Sequence, residues 1–455
     1  MPELESLSPN TGLPISQWSE PEPIAVEAAL DRLTATASGP LVDMAARRDR
    51  LGRVSAALAA GREELIALIV AEVGKTPDEA TAEIDYAESF LATSRRLLDD
   101  YPFEIALDAG RLVQEVPPGL GLLIAPFNDP VAGLMRKIGP CLAAGTGALV
   151  KPSELAVLTA QLLARHMSAA GLDDAVAVLP LAARDRIAAL IADDRVGTIS
   201  FTGSTAAGRA VAVEAARHGT GYVGELGGTN PFVILADADL ERAVADLVTR
   251  KVKAAGQACS APNIVFVERP ILPDLRERLA AALAAVAIGS SDAPGVRMGP
   301  VRHPAARARL EQTAAGLEAA GAIRLGAPPV AAGSTACLIA PAALEVATPA
   351  PFLEREMFGP LMGVCAFDDR TALRAVLAAN RQPLVLYVYG RDREGVAALT
   401  RGLRYGSIGI NTTGIQSPEA PTGGFREAGI GREGGPWGLS AFLTTVNRRT
   451  DWSRP

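Results

Sequence analysis

Apolar positions run almost without a break over residues 119–127, the pattern of a strand covered on both faces and hence of a parallel sheet. After it, short apolar runs at 148–150, 175–179, 197–201 and 221–224 alternate with helical spacing at 131–144, 154–170, 184–192 and 205–218. Repeated strand–helix units of this kind predict an α/β chain built on a doubly wound sheet of the dinucleotide-binding type. A second series starts at 231–236, continues at 263–268 and extends to about residue 411. Its different spacing and intervening Gly/Pro segments predict a second α/β unit. The expected division is 1–226, interrupted by a hairpin at 103–115, then 227–415, with 416–455 returning to the first unit.

Upstream, apolar spacing over 25–73 is helical, as in Leu51, Val54 and Leu58. Thr76-Pro77-Asp78-Glu79 has the makings of a capping box, with Pro77 suited to a first helical turn. Asp108-Ala109-Gly110 between two short runs reads as a hairpin turn. Residues 1–24, rich in Ser, Pro and Glu, show no period and are expected to form an irregular arm, whereas 440–449 alternates like an edge strand.

Composition narrows the function. The 455 residues carry 44 basic against 51 acidic side chains, net −7, without a run of either sign, so a nucleic-acid partner is not expected. Four cysteines and three histidines stand far apart, which argues against a metal centre or a disulfide framework. The N-terminus is acidic, and the longest apolar run, 279–288, is too short to span a bilayer. Together these suggest a cytoplasmic protein with no membrane partner.

Candidate chemistry centres on the middle of the chain. Glu225-Leu226-Gly227-Gly228 ends a short apolar run, and Cys259 follows in Gly256-Gln257-Ala258-Cys259. A cysteine attacks carbonyls as the thiolate, and a nearby carboxylate could take a proton or aim a water. Other segments end strands, the usual place for site residues in such sheets. Ala125-Pro126-Phe127-Asn128 is one, with Lys137 nine residues beyond Asn128. Lys151-Pro152-Ser153-Glu154 is another, and Ser153 could equally cap a helix. Thr202-Gly203-Ser204 opens a helix containing Gly208, a turn able to receive a phosphate. Glu356-Met357-Phe358-Gly359-Pro360 and Gly429-Ile430-Gly431-Arg432-Glu433 follow later.

In this order and spacing the segments resemble the signature motifs of the NAD(P)-dependent aldehyde dehydrogenase superfamily, over roughly residue 45 to the C-terminus. The resemblance implies a Rossmann-type cofactor domain, a second α/β catalytic domain and a small β oligomerisation element. It makes Cys259 the nucleophile and Glu225 the base that activates a water. Asn128 would be an oxyanion donor alongside the Cys259 N–H, and Lys137 would line the same pocket. Lys151 and Glu154 would clamp the adenosine ribose, Gly203, Ser204 and Gly208 would meet the pyrophosphate, and Glu356 would hold the nicotinamide ribose. Phe358 would back the nicotinamide ring, with Phe127, Leu226 and Gly227 beside the cofactor. NAD is the implied cofactor, with NADP the alternative. The implied substrate is an aldehyde, with a lean towards semialdehydes, although no basic residue is matched to a distal carboxylate. A homodimer or homotetramer is implied as well.

Departures from the family pattern fall at Phe127, Asp129, Thr229, Ala254 and Pro262-Asn263-Ile264, and family strands expected at the N-terminus are not recognised. Three rivals stand beside this reading. One is a CoA-acylating aldehyde dehydrogenase, one a Cys/Glu/Lys hydrolase of nitrilase type that needs no dinucleotide, and one a silent scaffold protein.

Overall fold

The computed structural model describes residues 4–37, 43–330 and 337–450. Met1–Glu3 of the acidic N-terminus lie outside the described residues. Two large sheets organise the chain. The six-stranded sheet runs in the order Gly429–Ile430, Gly221–Glu225, Val196–Thr202, Leu120–Ile124, Ala148–Lys151, Val176–Val178. All neighbours are parallel except the first pair, where Gly429 faces Glu225. The continuous apolar run forms its centre, and every residue of Leu120–Ile124 is buried. The strand ends at Ile124 rather than extending to 127, because Pro126 offers no N–H to a ladder.

The seven-stranded sheet runs in the order Ile323–Gly326, Ala342–Glu345, Leu361–Phe367, Pro262–Glu268, Asn230–Ile234, Val385–Tyr389, Ser407–Ile410. Only the first pair is antiparallel. Its core is fully buried and includes Phe232 stacked on Tyr389 with ring centroids 4.8 Å apart. In each sheet the first strand in sequence lies inside the sheet, with later strands added on both sides. Chain order therefore reverses there, and in open α/β sheets the crevice at the strands' carboxyl ends beside such a reversal is where ligands bind.

The 103–115 hairpin forms as Glu104–Asp108 and Arg111–Val116. Thr444–Arg449 adds a third strand antiparallel to Arg111–Val116. Residues 435–440 ahead of it are helical, so the strand expected from 440 starts later. The 25–73 stretch divides into helices Pro23–Ala37, Met44–Ala60 and Arg62–Val73. The helix Pro77–Asp100 opens on the expected capping box of Thr76 and Glu79. The helix expected over 154–170 is broken: Ser153 caps a single 3₁₀ turn, Glu154–Ala156, and Ala156 at φ −146° separates it from Val157–Ala169.

Residues 1–24 overturn the expectation of an irregular arm. Leu4–Leu7 and Pro14–Trp18 pair as an antiparallel hairpin, and the helix beginning at Pro23 follows. The hairpin is fastened by polar contacts rather than by an apolar stripe, which is why no period marks it. Ser6 donates to Glu72 at 2.9 Å, and Asn10 accepts from the Ser291 N–H at 2.8 Å. Glu72, fully buried, also accepts from the N–H groups of Leu158 and Thr159 at 2.9 and 2.8 Å, closing the start of the helix Val157–Ala169.

Candidate active site

A cavity of about 1420 Å³ lies against the carboxyl ends of both sheets, larger than the few hundred to about 1,000 Å³ of a typical small-ligand site. Glu225 ends its strand inside it, and Cys259 enters on the short turn before Pro262–Glu268. Asn230 fixes that turn, its amide donating to the Cys259 and Ala261 carbonyls at 2.7 and 2.9 Å. The Asn230 side-chain oxygen accepts from the Val385 N–H at 2.9 Å, which locks it to the neighbouring strand. Tyr387 adds a hydrogen bond to the Ser260 carbonyl at 3.0 Å.

Cys259 and Glu225 both line this cavity. Burial pushes the Cys259 thiol well above its ordinary pKa, the Glu225 charge adds to this, and Arg136 opposes it. Burial likewise lifts Glu225 to about 7, Glu433 adds to the rise, and Arg136, a hydrogen bond with the thiol and Lys137 oppose it. One buried Glu225 oxygen, Oε1, has no hydrogen-bond partner. At neutral pH the thiol is therefore protonated, and the carboxyl beside it is poised near the pH at which a general base works best.

Asn128 lies half-buried on the cavity wall after the Leu120–Ile124 strand. Lys137 sits one layer behind the wall. It is fully buried, donates to Ser200 at 2.9 Å and pairs with Glu433, which does line the cavity. Burial pushes the Lys137 pKa down. Burial would raise Glu433, but the charges of Lys137 and Arg136 outweigh it and leave Glu433 below the ordinary carboxylate value.

The expected cofactor residues lie along the same cavity, with one exception. Lys151, at its strand end, pairs with Glu154, and both are on the wall. Gly203 and Ser204 precede the helix Thr205–His218, which Ser204 caps by accepting from the Ala207 N–H at 3.3 Å. Phe127 and Phe358 face each other edge to face at 5.9 Å. Leu226, Gly227 and Glu356 complete the wall. A Cβ on Gly227 would come within 2.2 Å of a Glu356 carboxylate oxygen, so only glycine leaves that carboxylate in place. Burial lifts Glu356 to about 8. The exception is Gly208, on the buried face of the helix Thr205–His218, where a Cβ would strike the Leu226 side chain at 2.2 Å. Gly208 thus serves helix-to-strand packing. A cavity of this size lined by a capped helix start, a Lys–Glu pair and two aromatic rings fits a dinucleotide.

One participant carried no mark in the sequence, and three of the departures from the family pattern find partners here. Arg136, adjacent to Lys137, is buried on the cavity wall with its guanidinium over the Phe90 ring at 5.1 Å. Its Nε has no hydrogen-bond partner, and Nη1 lies 3.8 Å from Glu433. Asp129 joins a charged cluster in which Lys75 reaches Asp129 and Glu83 at 2.6 Å each. Thr229 is buried and donates to Asn380 at 2.9 Å, a site where a lysine's charge would be stranded. Asn263 accepts from the Met357 N–H at 2.7 Å and donates to the Arg355 carbonyl at 2.9 Å, holding the segment that carries Glu356.

The aldehyde dehydrogenase family model matches residues 2–447. The chain belongs to the aldehyde dehydrogenase family. The match begins at the N-terminal hairpin rather than near residue 45. Among curated proteins, the chain is 33% identical over 440 residues to a succinate-semialdehyde dehydrogenase of Paenarthrobacter nicotinovorans, covering 94% of this chain and 96% of that one. It is 31% identical to a non-phosphorylating aspartate-semialdehyde dehydrogenase of Halomonas elongata, over 85% of this chain and 80% of the relative. Among solved structures, an aldehyde dehydrogenase of Pseudomonas syringae crystallised with NAD⁺ and octanal superposes with a TM-score of 0.91 at 27% identity, covering 98% of this chain and 93% of that one. No helix among the described residues is long and apolar enough to cross a membrane.

With Glu225 near 7, kcat limited by thioester hydrolysis should rise about tenfold per pH unit below 7 and level off above it. The thiol, raised well above 9, should instead govern kcat/KM in the alkaline range. A kcat profile that is flat from pH 5.5 to 8 would contradict the role of the buried carboxyl.

Proposed function

We propose that this aldehyde dehydrogenase oxidises a semialdehyde, an aldehyde with a carboxylate at its far end, to the dicarboxylic acid through a thioester on Cys259. The meeting of Cys259 and Glu225 in the buried cavity carries the reaction class. Arg136 carries the substrate class: it is a buried cation on the wall with an unpartnered Nε, and Arg250 and Lys253 line the same cavity. Semialdehyde dehydrogenases recur among the relatives, which supports this choice.

In the proposed sequence, the thiol releases its proton to solvent and the Cys259 sulfur bonds to the aldehyde carbon. The Asn128 amide and the Cys259 N–H donate to the oxygen that becomes negative; removing one such donor typically costs about 3–4 kcal/mol of barrier. Bound NAD(P) supplies the hydride acceptor. Glu225 then takes a proton from water, whose oxygen attacks the thioester carbon. The C–S bond breaks, the acid leaves, and Cys259 recovers its proton. Water as the acyl acceptor fits the buried carboxyl better than a CoA-type thiol does.

Residues 1–226 are read as the cofactor domain and 227–415 as the catalytic domain, with 416–455 returning to the first. On the cofactor side, Glu154 would accept from free ribose hydroxyls and repel a 2′-phosphate, which favours NAD over NADP. Repulsion partly offset by Lys151 is worth on the order of tenfold to a hundredfold.

Replacing Arg136 with Leu should lower kcat/KM for four- and five-carbon semialdehydes at least about tenfold more than for unsubstituted aldehydes of equal length, the cost of an unpaired charged hydrogen bond. Equal losses on both series would show that Arg136 does not read the carboxylate. Running the same assays with NADP gives the cofactor preference, and equal efficiency would refute the reading of Glu154.

The exposed edge strands Glu104–Asp108 and Thr444–Arg449 are costly to leave unpaired. A homodimer or homotetramer joined through that three-stranded sheet is therefore proposed. Sedimentation at micromolar concentration should give twice or four times the chain mass, and a monomer would exclude it.

A further inference from the structure

The nucleophile is delivered by an unusual piece of backbone. The helix Leu240–Val252 ends, and Ala254, Ala255 and Gly256 all have positive φ, at +49°, +52° and +71°. Gly256 adopts this conformation freely, but the two alanines place a Cβ against their own carbonyl oxygens. Non-glycine residues persist there only where their surroundings over-determine them. Part of the restraint is local: the Gln257 N–H and side-chain amide both donate to the Ala254 carbonyl at 3.1 Å. The Ala254 N–H needs a partner too, and finds it 175 residues away. Glu79 Oε1 accepts from it at 2.8 Å, while Glu79 Oε2 accepts from the Thr76 N–H at 3.0 Å. Thr76 Oγ1 in return accepts from the Glu79 N–H at 3.3 Å, completing the capping box.

We propose that Glu79 is a positioning residue: its carboxylate, fixed to the start of the helix Pro77–Asp100, holds the left-handed turn Ala254–Gly256 that presents Cys259 to Glu225. Ala254 makes the strut consequential. Gly or Asn would enter the left-handed region easily. Alanine does not, so this chain relies on an outside acceptor. Glu79 is suited to the task because one oxygen is committed to its own helix cap, which fixes the direction of the other. The inference rests on Cys259 being the nucleophile.

The test compares variants by steady-state kinetics and by iodoacetamide labelling of Cys259, read by mass spectrometry of its peptide. Glu79→Ala should lower kcat and the Cys259 labelling rate about tenfold, the scale of an alanine's preference for leaving the left-handed region, with the KM for NAD within about twofold. Glu79→Gln, which keeps one acceptor oxygen, should fall between it and wild type. Introducing Ala254→Gly or Ala254→Asn into Glu79→Ala should restore most of the lost rate. Thr76→Ala, which weakens the cap alone, should lower the melting temperature but not kcat.

Three outcomes overturn the proposal. They are a kcat within threefold of wild type in both Glu79 variants, an equal kcat loss in Thr76→Ala, and no recovery in either double variant. If Glu79→Ala does not fold, Glu79→Gln with and without Ala254→Gly decides between the same outcomes. Failure of the nucleophile reading looks different: Cys259→Ser would keep its turnover whatever happens at Glu79.

Discussion

A buried carboxyl must meet a thiol that arrives from a different sheet, and much of the structure answers to that constraint. Glu225 ends a strand of the six-stranded sheet, and Cys259 sits on the turn entering a strand of the seven-stranded one. Each sheet is braced on the side of the cavity. Gly429 pairs with Glu225 from outside, and Asn230 ties the cysteine turn to its neighbouring strands. Water exclusion does the rest. With little solvent to stabilise a charge, Cys259 holds its proton at neutrality and Glu225 is lifted to about 7; Arg136 favours the charged form of both, while Glu433 and Lys137 act on Glu225. Removing that burial would return Glu225 to an ordinary carboxylate, ionised but a weaker base.

The arrangement also separates tasks by distance from the reacting atoms. Asn128 and Arg136 are on the wall, whereas Lys137 is behind it and reaches the cavity only through Glu433. Backbone strain is placed close to the chemistry, at Ala254 and Ala255, and is balanced by hydrogen bonds from elements distant in sequence. Precision at the nucleophile therefore depends on the helix Pro77–Asp100 as well as on the sheets.

Much of this was legible in the residues. Apolar runs marked the five parallel strands of the first sheet to within three residues, because strands buried on both faces admit few polar side chains. Thr76 and Glu79 announced their capping box. Cys259, Glu225, Asn128, Lys151 and Glu154 were found through motif order, and the fold brings them to one cavity. What escaped notice had local sequence that carried no sign of its partner. The hairpin Leu4–Trp18 is held by Ser6 and Asn10 reaching residues far along the chain. Arg136 looks like any helix arginine until its burial is known, and the bond from Ala254 to Glu79 joins segments that nothing in the sequence links. Lys137 and Gly208 show the converse, with motif positions matched but side chains or contacts directed away from the cavity.

The central claim is that Glu225 serves hydrolysis after the hydride has left the substrate. Rapid mixing of Glu225→Gln with NAD and a semialdehyde tests it most directly. The Glu225–thiol contact could slow the burst, so its amplitude rather than its rate is diagnostic. The account predicts a burst of about one NADH per active site followed by turnover at least about a hundredfold slower than wild type. A variant that shows no burst, yet still binds NAD, would contradict it and place Glu225 before the oxidation.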